Sequence, residues 1–226
     1  MALTDNIVSY WKLDGNSTDS VGSNNGTDTS ITYSAGNGKI VQGAGFSGSS
    51  RIVLPNVVYI SATAFSLSAW IKISSNPGAP AQILTSDSDF NRRWQLAVNT
   101  NGTIRFIRFN DAGSVISNFN STGTVTDNTW RHIVAVFDNS VGSKIYINGT
   151  QDGSDAVTTS NKITSGTAAF GSNTNSTPSE YFTGSIDEGA IWSRALSAAE
   201  VTSLYNAGAG LAYPFTGNTT NFFQFM

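Results

Sequence analysis

Three glutamates and one histidine limit the acid–base chemistry open to this chain. Two of the glutamates fall in TGSIDEGAIWSRALSAAEVTSLY (183–205), where Glu188 directly follows Asp187. Paired carboxylates can divide nucleophilic and acid–base work when both face one bond. Neighbours on a regular strand point to opposite faces, so Asp187 and Glu188 cannot form that pair. Asp187 is expected to clamp structure and Glu188 to sit at the surface or in a salt bridge. Glu200 stands three residues after Ser197, the spacing of a capping box, and has a structural task there. Glu180, in the polar stretch TPSEY, is expected in solvent. His132 opens an apolar run, RHIVAVFD, and no G-x-S-x-G segment supplies a serine partner. It reads as a core or strand-face histidine.

Two loops could still meet a ligand. SDSDFNRRW (86–94) begins like a calcium-binding EF-hand loop, with Asp87, Asp89 and Asn91 alternating. Arg92 at the required glycine and Val98 at the closing glutamate exclude that motif. The loop could instead offer Asp87, Asp89, Arg92 and the Trp94 indole to a sugar; the alternative is a solvated loop entering a strand with Trp94 in the core. Asp19 lies in DSVGSNNG, rich in Asn and Gly, which can turn several oxygens inward. GAGFSG (43–48) matches G-x-G-x-x-G, but a strand-like SSRIVLP follows rather than a helix, so its glycines are read as turns.

The elements that must position these residues are strands. Polarity comes from Ser, Thr and Asn; only 12% of residues are charged, against 39% hydrophobic with 13 Phe. That favours short strands and Gly/Asn turns over amphipathic helices. Apolar runs recur at 6–13, 51–55, 65–73, 81–86, 93–99, 102–110, 130–138 and 143–149. In FSLSAWIKI (65–73) the alternation predicts a half-buried strand, with Ser66, Ser68, Trp70 and Lys72 outward. NTNGT (99–103) and INGT (147–150) are hairpin turns. LSAAEVTSLYNAG (196–208) alone reads as a helix, capped by Ser197 and Glu200, stapled by Leu196 and Val201, and ended by Gly208. The net charge of −3 and scattered basic residues argue against nucleic acid. No apolar run spans a membrane, no cysteine allows a disulfide, and MALTDNIVSYW shows no signal peptide.

YWKLDGNSTDSVGSNNGT, GAGFSGSSRIVLP, FSLSAWIKI, WRHIVAVFD, KIYINGT and FTGSIDEGAIWSRALSAAEVTSLY, in that order, resemble the laminin G-like family of the concanavalin A-like lectin/glucanase superfamily. The resemblance covers about residues 6–215 and implies an all-β fold, a two-sheet antiparallel jelly-roll sandwich with one short C-terminal helix. It implies one domain over 1–215 and an apolar tail over 216–226. Family members are mostly non-catalytic modules for glycan binding or adhesion. The superfamily's glucan-cleaving members use Glu-x-Asp-x-Glu, which this chain lacks, so no enzyme is expected. The family's calcium ligands correspond here to Asp19 and Asp187, with a carbonyl from Asn24; the alternative is an Asx-turn at Asp19 and a strand-end hydrogen bond at Asp187. Where relatives run IDEVRIY this chain has Gly189 and Ala190, implying a less well packed strand. The expected function is a calcium-stabilised glycan- or surface-binding module, extracellular or on a virion. Its rival is a decoration or adhesion protein of an assembly, such as a phage particle. In that case Phe222, Phe223, Phe225 and Met226 would dock a partner or another copy of the chain.

Overall fold

Asn148 and Gly149 both take left-handed backbone angles (φ 53° and 79°), the two-residue turn whose twist matches paired strands. Gly102 (φ 81°) closes the other Asn-Gly turn, with Asn99 N–H donating to the Thr103 carbonyl at 2.8 Å. Turns of this kind fold the chain into a computed structural model that describes residues 1–54, 61–88, 91–161 and 166–216. In chain order the strands are β1 (Ile7–Trp11), β2 (Thr27–Thr29), β3 (Thr32–Ser34), β4 (Gly43–Phe46) and β5 (Arg51–Leu54). The long ones follow: β6 (Ala64–Lys72), β7 (Ala81–Ser88), β8 (Asn91–Val98), β9 (Thr103–Phe109) and β10 (Val115–Thr124). Then come β11 (Arg131–Asp138), β12 (Gly142–Ile147), β13 (Thr150–Asp155), β14 (Ala168–Phe170), β15 (Gly184–Trp192) and the helix α1 (Ala198–Tyr205).

They form two antiparallel sheets. One runs β13-β12-β11-β6-β15-β4-β3, with β1 also paired to β15; the other runs β10-β9-β8-β7-β14-β5-β2. The inner faces share one apolar core, including Trp11, Phe65, Leu67, Trp94, Leu96, Phe106, Phe137, Phe170 and Ile186. This is the jelly-roll sandwich the resemblance implied. The expected strand positions hold.

Several local expectations are corrected. β6 is not half-buried: Phe65 through Ile71 are all buried, because a second apolar layer covers its outer face. That layer joins Tyr10, Val134, Val136, Tyr146 and Trp192 to Leu196, Val201 and Leu204 at and within α1. Trp70 is thereby sealed against His132 and Tyr205, with ring centroids at 5.1 and 5.8 Å. α1 has both halves of its capping box, but it ends at a left-handed Asn206 rather than at Gly208. Gly43 and Gly45 lie in strand β4, not in turns. A Cβ would stand 2.1 Å from the Asn37 carbonyl oxygen at Gly43 and 2.4 Å from Asn37 Nδ2 at Gly45, so close approach selects glycine. Nor is β15 loosely packed after Asp187. A Cβ at Gly189 would sit 2.4 Å from Phe170 Cζ, and Ser185 through Trp192 are all buried.

Candidate functional site

β8 places Trp94, Leu96 and Val98 in the core, so Gln95 and Ala97 face outward by strand alternation. On β9, Ile104 and Phe106 point inward and Arg105 outward. A register shift between Ser86 and Asp87 sets Asp87 opposite Arg92. Arg92 Nε donates to Asp87 Oδ1 at 2.8 Å, and its guanidinium lies 4.6 Å from the Phe109 ring centroid. Gln95 Nε2 donates to the second Asp87 oxygen, and Arg105 donates to Gln95 Oε1 at 3.1 Å. Gln82, on β7, donates to Glu180 Oε2 at 2.6 Å, and its backbone N–H donates to the Glu180 carbonyl.

The outcome is a braced polar face on the outer side of the seven-stranded sheet, where Asp87 and Glu180 offset Arg92 and Arg105 in formal charge. Burial lowers the Arg105 pKa, while the charges of Glu180 and Asp87 oppose that shift. Gln82 Oε1 and Arg105 Nε have no partner among the described residues, but both atoms are buried, as are Gln82, Asp87 and Gln95; Arg92, Arg105 and Glu180 are the members of the set that reach solvent. Such a face suits uncharged, hydroxyl-rich ligands, since its groups are held in place before anything binds.

Of the residues expected to bind a sugar, the structure brings Asp87 and Arg92 together. Trp94 is fully buried on the opposite side of its strand and cannot stack on a ligand. Asp89 lies outside the described residues, as do Phe222, Phe223, Phe225 and Met226, the expected docking residues of the tail. Glu180 is not free in solvent, since Gln82 holds it. Gln82, Gln95, Arg105 and Glu180 were missed; the polar alternates opposite Trp94, Leu96 and Val98 were the signal for Gln95.

The carboxylates near the two chain ends act as locks. Asp19 Oδ1 accepts from Tyr10 N–H at 3.1 Å and from Val21 N–H at 3.0 Å, the second an Asx-turn contact. Its Oδ2 accepts from Asn24 N–H at 3.1 Å. The Asn24 carbonyl is taken by the Trp11 indole N–H at 2.8 Å. Asp187 accepts from the backbones of Lys39 (2.8 Å), Ile40 (2.9 Å) and Glu188 (2.9 Å). The two carboxylates share no hydrogen-bond partner, and each faces three N–H donors. No group of three or more His, Cys, Asp or Glu that could hold a metal occurs among the described residues. Calcium needs about six to eight oxygens converging on one point, so Asp19, Asn24 and Asp187 do not fit an ion held between them.

Glu188 is corrected most sharply. It is 4% exposed, neither at the surface nor in a salt bridge, because a bulge in β15 gives it a left-handed φ of 51°. It accepts a hydrogen bond from the Tyr10 hydroxyl, while its Oε1 has no partner among the described residues. Burial pushes its pKa up to about 8. Burial also raises Asp187 to about 7, against the opposing pull of its three N–H donors. His132 is sealed too, with Nε2 2.9 Å from Ser68 Oγ and a pKa lowered by burial to about 3. All three of these perturbed groups, Asp187, Glu188 and His132, are buried.

Residues 46–202 match the laminin G family model of the concanavalin A-like lectin/glucanases superfamily. The chain belongs to this family. No curated protein matches it. Among solved structures it is similar to the binding domain of Paraclostridial Mosquitocidal Protein 1, at 18% identity and a TM-score of 0.72, covering 90% of this chain and 52% of that one. Domain 4 of AbnA, a GH43 extracellular arabinanase from Geobacillus stearothermophilus in complex with arabinotriose, matches at 23% identity and a TM-score of 0.69, covering 87% and 96%. The botulinum neurotoxin serotype D ligand binding domain, in complex with N-acetylneuraminic acid, matches at 21% identity and a TM-score of 0.68, covering 89% and 51%. The chain thus spans about half the length of these toxin domains and nearly all of the arabinanase domain. At these identities the likeness is one of fold. No helix among the described residues is long and apolar enough to cross a membrane.

Proposed function

We propose that this laminin G-like chain is a non-catalytic, extracellular binding module that recognises a neutral saccharide through the outer face of β7, β8 and β9. The observation that carries the reading is the braced set in which buried Asp87, Gln95 and Gln82 hold the solvent-reaching Arg92, Arg105 and Glu180 in place. Similar folds described in complex with arabinotriose and with N-acetylneuraminic acid support saccharide binding, and of the two arabinotriose is the neutral one. A non-catalytic role is favoured because the carboxyls with raised pKa, Asp187 and Glu188, are buried, while Asp87 and Glu180 are engaged with arginine and amide donors. A glycan array followed by calorimetry tests this. A ranked set of neutral oligosaccharides should bind, and Arg92→Ala should weaken the best of them about tenfold, the worth of one charge-assisted hydrogen bond, with the chain still folded by its far-ultraviolet spectrum though less stable for the loss of the Asp87 partner. A blank array rejects the reading; concentration-dependent self-association in the same sample would then favour an assembly role.

A further inference from the structure

A second cleft lies away from that face, at the edge of the eight-stranded sheet. It has a volume of about 370 Å³, within the range of small-ligand sites. Its walls carry neutral hydrogen-bonding groups, among them Thr32, Asn37, Ser74, Asn128 and Ser185, and a single cation, Lys72. No carboxylate lines it. The acid next to Asn128 in sequence, Asp127, is engaged by Arg131 and Thr129. Lys72 joins no ion pair among the described residues; its ammonium reaches only the Gly36 carbonyl, at 3.3 Å, and lies 5.3 Å from the half-buried Trp130 ring centroid.

The wall is closely packed. A Cβ at Gly184 (φ 148°) would meet the Lys72 carbonyl oxygen at 2.3 Å, and one at Gly45 would meet Asn37 Nδ2 at 2.4 Å. Asn37 is itself held, its Nδ2 donating to the Thr32 carbonyl at 3.3 Å and its Oδ1 accepting from Ser185 Oγ at 3.2 Å. An ammonium with no carboxylate partner and a wall of hydroxyls and amides together describe complementarity to one kind of ligand. A carboxylate would answer the ammonium, and the hydroxyl groups of a sugar ring the remaining wall.

We propose that this cleft binds an acidic saccharide unit, a sugar ring carrying one carboxylate, with Lys72 as the carboxylate partner. Titrating the ¹⁵N-labelled full chain with D-galacturonate and, separately, D-galactose tests it. Galacturonate should shift the Asn37 and Asn128 side-chain amide resonances and bind about tenfold more tightly than galactose. That preference should shrink as salt is raised. Lys72→Gln should abolish the preference, while Lys72→Arg, which keeps the charge, should retain it. Equal affinities for the two sugars overturn the proposal, as does a preference that survives Lys72→Gln. Sodium acetate reproducing the galacturonate shifts at the same affinity also overturns it, since the cleft would then take a bare anion. Arg92→Ala should leave the galacturonate titration unchanged, which separates this site from the outer sheet face.

Discussion

Replacing Glu188 by glutamine isolates the effect of a buried acid on stability. Its carboxyl is 4% exposed, and the Tyr10 hydroxyl donates to Oε2. Burial first, and then the charges of Asp187 and Asp14, raise its pKa from 4.5 to about 8 against the lowering effect of Tyr10. An acid raised in this way stays protonated in the fold while the unfolded chain ionises. Stability is therefore fullest below about pH 4.5, falls as pH climbs toward about 8, and levels off above that. At about 1.4 kcal/mol per pKa unit, the full excursion is on the order of 5 kcal/mol. Asp187, raised from 3.8 to about 7, slopes the same way over a lower window. Glutamine keeps an acceptor for Tyr10 and cannot ionise, but it buries an amide donor that lacks a partner, at a cost of about 1–3 kcal/mol. The net expectation is that Glu188→Gln is more stable than the parent by about 2 kcal/mol at pH 8, or about 4–8 °C in melting temperature for a chain of this size. Near pH 4.5 the parent should equal or exceed the variant, so the two stability curves should converge and cross as pH falls. Urea melts at steps between pH 4.5 and 9 measure both. Parallel curves would show that Glu188 ionises alike in the folded and unfolded chain, and the argument would fail.

Three other perturbations are informative. Gly189→Ala forces a Cβ to within 2.4 Å of Phe170 Cζ and should cost about 1–3 kcal/mol of overpacking, seen as a lower urea midpoint; an unchanged midpoint means the strand can shift. Ser197→Ala removes the side-chain cap on Glu200 N–H and should cost about 1 kcal/mol, while Arg194 still holds Glu200 at 2.7 Å; a loss of several kcal/mol would mean that the cap anchors more than α1. Chelator should leave the melting temperature unchanged, because the Asp19 and Asp187 oxygens face N–H donors; a drop of several degrees, abolished by Asp187→Ala, would place an ion there.

How legible these features were in sequence depends on how local their causes are. Alternating apolar residues mark β6, β8, β9 and β11 without help from anything distant, and an Asn-Gly pair marks a turn by its own backbone preference. β10, VISNFNSTGT, alternates largely among Ser, Asn and Thr, with half its length exposed, and carries no such signal. In β4 the reason for glycine is Asn37, from another segment, so the same residues read locally as turns. The second layer over β6 likewise comes from α1, more than a hundred residues later, and nothing in FSLSAWIKI announces it.

The binding face divides along the same line. Asp87 and Arg92 were visible as a polar pair within one loop, but Glu180 reaches Gln82 from ninety-eight residues away and could not be found by spacing. Arg92 nonetheless held more information than was read from it. Strict alternation backward from Val98, Leu96 and Trp94 would place Arg92 on the core face. A buried guanidinium is sustained in this strand when it finds partners: Arg93 is 1% exposed and donates to Ser86 Oγ and the Thr167 carbonyl. A slip in the strand just before Trp94 gives Arg92 a carboxylate partner instead. The register shift between Ser86 and Asp87 supplies that slip, turning Arg92 outward onto Asp87 and so assembling the centre of the polar face.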